Sequence, residues 1–522
     1  MPPKAASSTS GGRSSLVLKR AAGQVLNSQK DGKSSVQNSG PSAAPSSRQL
    51  TPSSVFVRIR PTKATGSGHT DGEAVSKQLQ DFDDTTVTVK EDDLRKTTKF
   101  EVTKVIAPDV DQENAFLEIA PDLLDAFKSD TNVLFYAYGQ TGSGKTHTML
   151  GEIESLSSEE PVPGWGIFPR VVHSTLESMK QWRQSGIPSV LVASAVEFYC
   201  CCAFDLNSKY RDAKDEVTLD DQAQIFGAKT KEIKSIKGLR KWISRMYANR
   251  TTSKTNMNDA SSRSHCAFVL TLLQLRADDT FVKTSFSMID MAGSERCSKT
   301  GGERVGGQEA SIEAGKMMEA GTPELLSIGA QGFFINFEIS MITTEILKAS
   351  DCHKRGLPYK ASKESSTAAS FYFCACCDGR ARMGACVTIS QSPQHGFETW
   401  FSLNYAQQLA HCRVPLVKVR PVPIAQALEA ATQAAEEAAA KFDQNDKNPQ
   451  GAKQYRVFCL QRGAADHTAE MLGYLKRMVE QKEGKAQGDS DGGISDGPWQ
   501  SPLAPRKAPA EVIEKSAIEM GK

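Results

Sequence analysis

Val133-Leu134-Phe135-Tyr136-Ala137-Tyr138-Gly139-Gln140-Thr141-Gly142-Ser143-Gly144-Lys145-Thr146 is the stretch that decides the fold of this chain. The apolar and aromatic run 133–138 predicts a buried strand. It leads without a break into the pattern G-x-x-x-x-G-K-[ST] at 139–146. Glycines there let the backbone curl so that successive N–H groups face phosphate oxygens, and the positive end of the following helix adds to them. In that setting Lys145 neutralises β- and γ-phosphates, and the Thr146 hydroxyl ligates Mg²⁺. At average residue frequencies the pattern arises by chance in roughly one chain in fifty of this size. A strand directly before it makes chance rarer.

Working outward, Val55-Phe56-Val57-Arg58-Ile59-Arg60-Pro61 alternates as a strand and is closed by proline. Residues 190–198, 266–275 and 285–290 also read as strands. Residues 114–127 and 237–247 read as helices, the second with Leu239, Trp242, Ile243 and Met246 on one face. Such alternation predicts an α/β domain over 54–414, its mostly parallel or mixed sheet covered by helices on both faces. Residues 1–53 carry seven Lys/Arg against one acid, Asp31, among Ser, Gly and Ala. They predict a disordered basic tail, which is favoured over an organelle transit peptide of similar composition. In the segment 415–482, Ile424, Leu428, Ala431, Ala435, Ala438 and Phe442 recur at heptad spacings. The seam is short and mostly alanine, so a solitary helix is favoured over a weak neck-like dimer contact. A second helix is expected near 469–481, with Leu472, Leu475 and Val479 on one side. Residues 483–522, rich in Gly, Asp, Ser and Pro, are expected to be disordered.

The 522 residues carry a net charge of +2, which argues neither for nor against a polyanionic partner, and no nucleic-acid partner is expected. No run of 18 apolar residues predicts a membrane span. Met1-Pro2-Pro3-Lys4 opens neither a signal peptide nor a myristoylation site. The twelve cysteines are then expected in a reducing compartment. Cys200-Cys201-Cys202, and Cys374 with Cys376-Cys377, lack C-x-x-C spacing and read as buried thiols, not metal ligands.

Two further motifs follow the phosphate loop. Asn258-Asp259-Ala260-Ser261-Ser262-Arg263-Ser264-His265 precedes the strand at Cys266, and taken alone reads as a flexible loop or helix cap. Asp290-Met291-Ala292-Gly293-Ser294-Glu295 closes another strand. An acid at a strand's carboxyl end suits Mg²⁺ held through water, and Gly293 offers a bare N–H to a γ-phosphate. In this order, GQTGSGKTHTM, N-x-x-SSRSH and D-x-AGSE resemble the phosphate loop, switch I and switch II of the kinesin superfamily. The likeness runs from about Val55 to Val414. It takes in Gly166-Ile167-Phe168-Pro169-Arg170, Glu197-Phe198-Tyr199, Leu357-Pro358-Tyr359 with Ser362-Lys363, and Glu398-Thr399 through Leu403 to Ala406.

The resemblance implies a motor domain of the P-loop NTPase class using ATP and Mg²⁺. Arg58 and Pro61 would flank the adenine. Gly139, Gln140, Thr141, Gly142, Ser143, Gly144, Lys145, Thr146 and His147 would hold the nucleotide. Thr146, Ser262 and Asp290 would surround Mg²⁺, the last two through water. Gly293 would sense the γ-phosphate, Arg263 and Glu295 would bridge the switches, and Ser261 with Glu295 would relay the attacking water's proton. Microtubules would be the partner, in the cytoplasm on the cytoskeleton, and the chain a monomer or weak homodimer.

Four segments differ from the family pattern. The usual I-N-K-S-L reads Ile335-Asn336-Phe337-Glu338-Ile339, which would turn an acid toward acidic tubulin if Glu338 faces outward. Residues 301–334 are longer than the usual connection, and Gly306-Gly307, Gly321 and Pro323 predict a loop with at most a short helix. P-Y-R-D-S-K-L-T-R-L-L becomes Pro358-Tyr359-Lys360-Ala361-Ser362-Lys363-Glu364-Ser365-Ser366. Val414-Pro415-Leu416-Val417-Lys418 matches the neck linker poorly. An ATP-hydrolysing microtubule motor is therefore the leading expectation. A nucleotide-regulated scaffold of little motility comes second, and a P-loop NTPase acting on something other than tubulin third.

Overall fold

The computed structural model describes residues 50–61, 78–90, 97–199, 202–207, 215–220, 223–252, 263–294, 307–320, 326–362, 367–392, 395–444 and 452–484. Of the tails expected at 1–53 and 483–522, residues 1–49 and 485–522 lie outside these residues. Ten strands build the central sheet: β1 (Ser54–Ile59), β2 (Lys104–Ile106), β3 (Asn132–Tyr138), β4 (Ser189–Tyr199), β5 (Cys202–Asp205), β6 (Lys231–Glu232), β7 (His265–Leu275), β8 (Thr280–Asp290), β9 (Ala381–Ile389) and β10 (Val422–Pro423). Their order is β6-β4-β7-β8-β3-β9-β1-β2, with β5 on β4 and β10 on β8. The run β8-β3-β9-β1-β2 is parallel. β4, β7 and β8 pair antiparallel. The sheet is thus mixed, as its sequence predicts.

Helices α1 (Gln112–Ile119), α2 (Pro121–Lys128), α3 (Lys145–Met149), α4 (Ile167–Gln184) and α5 (Ile236–Thr252) come from the first half of the chain. From the second half come α6 (Gly307–Ala320), α7 (Ile328–Lys354), α8 (Ala368–Ala375), α9 (Gly396–Ala410), α10 (Ile424–Asp443) and α11 (Ala452–Lys482). Strand pleating sends alternate side chains to opposite faces. From β3, Val133, Phe135 and Ala137 meet α1, α2, α4 and α5, while Leu134, Tyr136 and Tyr138 meet α7, α8 and α9. Both faces are therefore buried, which explains the unbroken apolar run 133–138. Because β8, β3, β9 and β1 are parallel, Asp290, Gly139, Ser390 and Arg60 all emerge at one end of the sheet.

Several element boundaries differ from expectation. The helix predicted over 114–127 is two: Ala120 ends α1, and Pro121 occupies the first turn of α2, where its missing N–H costs nothing. The stretch expected to be a loop at 301–334 contains α6, 14 residues long, and the start of the 27-residue α7. Ser327 caps α7, its hydroxyl accepting from the Ala330 N–H at 3.2 Å. The helix expected at 469–481 runs over 31 residues. Leu50–Pro52 forms a strand antiparallel to Arg413–Pro415, so structure begins before the expected boundary at 53.

Neither the solitary helix nor the dimer seam describes α10. It folds back with α11 as an antiparallel hairpin against the sheet, where Ile424, Leu428, Ala427, Leu475 and Met478 cover Val190, Val192, Leu273 and Leu275. Each buried aliphatic side chain there contributes about 1.5–3 kcal/mol. The chain reaches this dock along the sheet's other end: Val417 N–H donates to Gly379 O at 2.8 Å, Val419 N–H to Asp130 O at 2.7 Å, and β10 pairs with β8. Arg456 grips Glu216, Arg477 meets Glu232 at 2.7 Å, and Lys482 meets Asp279 at 2.6 Å.

Candidate nucleotide site

At the end of β3 the backbone turns through conformations that side chains resist. Gly139, Gly142 and Gly144 have φ of 145°, 77° and 103°. A Cβ on Gly139 would lie 2.3 Å from Thr388 O in β9, so sterics and φ both demand glycine there. Ser143 fastens the loop, its hydroxyl 2.7 Å from Gln140 O and 2.6 Å from Thr388 Oγ1. The Lys145 ammonium is buried and donates to Gly139 O at 2.8 Å and Gln140 O at 2.9 Å. It is thus held within the loop whose N–H groups would cradle phosphate. The helix that follows, α3, is only five residues long, so the loop's own N–H groups do most of the work.

Asp290, at the end of β8, accepts from the Thr146 hydroxyl at 2.8 Å. The same oxygen, Oδ2, accepts from Arg250 Nη1 at 2.8 Å. Arg250 comes from the last turns of α5, is 1% exposed, and also donates to Ser264 O at 3.0 Å. Burial works against its charge, but Asp290, with Cys266 and Glu197 nearby, holds the guanidinium above its ordinary pKa. Asp290 Oδ1 is buried without a partner. Thr146 Oγ and this orphaned oxygen make the oxygen-donor set that a hard divalent cation takes.

The segment after Asp290 lies against the phosphate loop. Met291 N–H donates to Ala137 O at 3.2 Å, Ser294 N–H to Gly139 O at 3.3 Å, and Ala292 N–H to His265 Nδ1 at 3.1 Å. Gly293 is buried between these anchors. Arg263 Nη1 donates to Gln331 Oε1 of α7 at 3.3 Å. Ser261, Ser262 and Glu295 lie outside the described residues, and so does the bridge expected between Arg263 and Glu295.

On the β1 side, Arg58 donates to Gln112 Oε1 at 2.6 Å and Thr148 Oγ1 at 3.1 Å. Burial lowers its pKa. Gln112 Nε2 in turn donates to His147 O at 2.6 Å. Burial, then the Arg58 charge, also lowers the His147 pKa, which keeps that ring neutral at pH 7. Pro61 is exposed at the end of β1. Sequence reasoning missed four residues here. Arg60 bonds Gly142 O, Gln112 bridges Arg58 to His147, Thr388 backs Gly139, and Arg250 backs Asp290. Arg60 lay inside a quoted motif, and Arg250 is a cation just ahead of the Ser-rich loop. Gln112 and Thr388 carry no local signal.

The track-facing expectation for Glu338 is corrected. Its carboxylate is buried, 3.5 Å from His265 Nε2, because the phase of α7 turns it inward. Phe337 is half-buried and stacks on Phe333, ring centroids 6.1 Å apart. Among the basic residues near this helix, Lys354, Arg355 and Lys360 are exposed. Arg380 pairs with Asp378, and Arg382 donates to Ser54 Oγ at 3.1 Å. Lys363 lies outside the described residues.

A family model described as the kinesin motor domain matches residues 58–318, half of the chain. The kinesin-like protein KIF15 of Mus musculus is 28% identical over 381 residues, which are 70% of this chain and 24% of that protein. The kinesin-like protein KIN-14N of Oryza sativa subsp. japonica is 30% identical over 224 residues, 40% of this chain and 28% of that protein. The chain therefore spans about a quarter of the length of these relatives. A KIF14 dimer in a two-heads-bound state, with AMP-PNP and in complex with a microtubule, matches with a TM-score of 0.56 at 22% identity, covering 71% of this chain and 97% of that one. A fast kinesin matches with a TM-score of 0.53 at 20% identity, covering 71% and 94%. With its phosphate loop backed by Asp290 in the fold these structures share, the chain belongs to the kinesin motor-domain family.

Proposed function

We propose that the chain is a Mg²⁺-dependent ATPase whose switch segments close on the γ-phosphate, and that microtubules are its track. The observation that carries this is the Thr146–Asp290–Arg250 constellation, with Asp290 Oδ1 buried and unpartnered beside the glycine loop. Thr146 and Asp290, with Ser262 beyond the described residues, would hold Mg²⁺. When bound, the ion neutralises β- and γ-phosphate charge. Residues 139–147 would hold the triphosphate, Lys145 leaving its two carbonyls for the phosphates. Arg58 would border the base through its edge against Gln112, with Pro61 beside it. Gly293 would bond the γ-phosphate through its N–H. Arg263 with Glu295 would close the switches, and Ser261 with Glu295 would pass on the water's proton. Positioning and charge stabilisation then supply the rate.

The family and the KIF14–microtubule complex support microtubules as partner, within the cytoplasmic cytoskeleton. The hairpin absorbs Ile424 and Leu428 within one chain, which favours a monomer. A second reading, a nucleotide-regulated scaffold of little motility, is favoured by the backbone bonds of Val417 and Val419 and the β10–β8 pairing, which hold the segment after Pro415 in place.

Steady-state ATP turnover of the full chain with and without microtubules tests both readings. The motor reading expects stimulation of about tenfold or more, a barrier change of roughly 1.4 kcal/mol. Turnover indifferent to microtubules, with salt-sensitive cosedimentation, would leave the scaffold. Glu295→Ala should bind ATP and fail to turn it over; normal hydrolysis by it would refute the role given to Glu295.

A further inference from the structure

Between Lys229 and Arg250 the chain carries eight Lys/Arg against one acid, Glu232. Arg250 is spent on Asp290, and Glu232 meets Arg477 at 2.7 Å and Lys234 at 4.0 Å. The other seven bases are exposed. Lys229, Lys231 and Lys234 lie along and beside β6, the edge strand of the central sheet. Lys237, Arg240, Lys241 and Arg245 recur at helical spacing on the outer face of α5. Its inner face buries Leu239, Trp242, Ile243 and Met246 with α1, α2 and α4, so the stripe lies away from α7, α8 and α9. Lys237, Lys241 and Arg245 stand one turn apart, a like-charge run that works against the helix carrying it. The stripe therefore does not serve the stability of α5.

Its chemistry selects the kind of anion. No large apolar side chain between 229 and 250 is exposed, so nothing there inserts into a lipid surface or stacks on an unpaired base. Five of the seven bases are lysines, compact charges without the fork that arginine offers to phosphate. The amino end of α5, where a phosphate would sit, is already occupied. Gly238 N–H donates to Ser235 Oγ at 3.1 Å, and Lys237 N–H donates to Glu159 Oε1 at 3.2 Å. Glu159 is thus a carboxylate seated at one end of the stripe. Charges four residues apart on α5 are separated by about 6 Å along the axis, and alternate residues of an extended chain by about 6.6 Å. An extended peptide with an acid at every second position can therefore set successive carboxylates against successive turns of α5.

We infer that the stripe of β6 and α5 binds an acidic, extended peptide of a partner protein, on the side of the sheet opposite α7. The inference does not rest on the ATPase reading. Fluorescence anisotropy tests it, with the full chain at low salt and a labelled peptide of alternating Glu and Ser long enough to span the stripe.

Wild type should bind the peptide, and more weakly as salt rises. Lys237→Glu combined with Arg240→Glu should weaken binding about tenfold or more, and Lys231→Ser about threefold. Lys360→Glu, in the segment after α7, should stay within about twofold of wild type. If the charge-reversed protein melts early, Lys237→Gln combined with Arg240→Gln decides, with an expected loss of about fivefold. A peptide that wild type does not bind, or that both α5 variants bind as tightly as wild type, overturns the inference. Release of the peptide by saturating microtubules also overturns it, by assigning the stripe to a track. So does duplex DNA or a phosphatidylserine vesicle that binds more tightly than the peptide and is lost with the same variants.

Discussion

At the carboxyl end of β3 the chain turns on glycines and leaves buried polar atoms without partners, among them Asp290 Oδ1 and both amide atoms of Gln140. At the amino end of the same strand several such groups are paired, although Ser189 Oγ and Ser53 Oγ are buried without partners there. Asn132 Oδ1 accepts from Ser285 N–H at 2.9 Å, Arg276 grips Asp130, and Lys482 reaches Asp279. There α10 and α11 seal the apolar ends of β4 and β7. One end of the sheet is covered by α10 and α11 of its own chain, and the other carries the glycine-lined loop proposed to take a nucleotide. Stability gathered at the docked end can carry the unsatisfied polar atoms of the pocket.

Breaking the buried Arg250–Asp290 ion pair should have the largest effect. Arg250→Ala leaves Asp290 buried without its cation, and denaturant titration should show a loss of about 3–5 kcal/mol together with weaker nucleotide binding. A loss below about 1 kcal/mol would mean that Arg250 does not hold Asp290. Next comes the docked end. Leu475→Ala should cost about 2–4 kcal/mol of unfolding free energy while ATP affinity stays within about twofold of wild type. A large loss of affinity would show that the two ends are not separable.

The smallest effect sharpens the comparison through pH. Burial, reinforced by the Lys283 charge, pushes His467 of α11 down to about 4, although its Nδ1–H donates to Ala228 O at 3.2 Å. The unfolded chain takes up this proton near pH 6.5, and the folded chain resists it to about 4. The stability is therefore fully present above pH 6.5 and is lost as pH falls toward 4. His467 as a whole is half-buried, so the loss is discounted to roughly 2 kcal/mol. Melting temperatures of wild type and His467→Gln should converge as pH drops from 7 to 4.5. A constant gap would show that the folded His467 titrates normally.

The pocket was legible in the sequence where contacts are local. The run 133–146 places strand, glycines, Lys145 and Thr146 in covalent order, and Asp290 stands at a strand end that the apolar pattern marks. The rest depended on packing that no local pattern reports. Glu338 reads as a surface acid until the phase of α7 turns it onto His265. Gly463 looks like a weak point in a helix, yet it lets α11 approach Gly227. The alanine-rich seam of α10 finds its partner in α11 of its own chain, through a return that heptad spacing does not specify. Residues 301–334 read as a loop because their glycines outweighed the helix-forming stretch 307–320.

Calorimetric titration of the full chain with ATP, in Mg²⁺ and then in a chelator, tests most directly whether the unfinished end of the sheet is a nucleotide site. Wild type should bind one ATP per chain with Mg²⁺ and more weakly without it. Lys145→Ala should lose about a hundredfold in affinity, as expected when charge-assisted bonds to phosphate worth about 1.5–3 kcal/mol disappear. Wild type that takes up no ATP, or Lys145→Ala that binds it as tightly as wild type, would contradict the account.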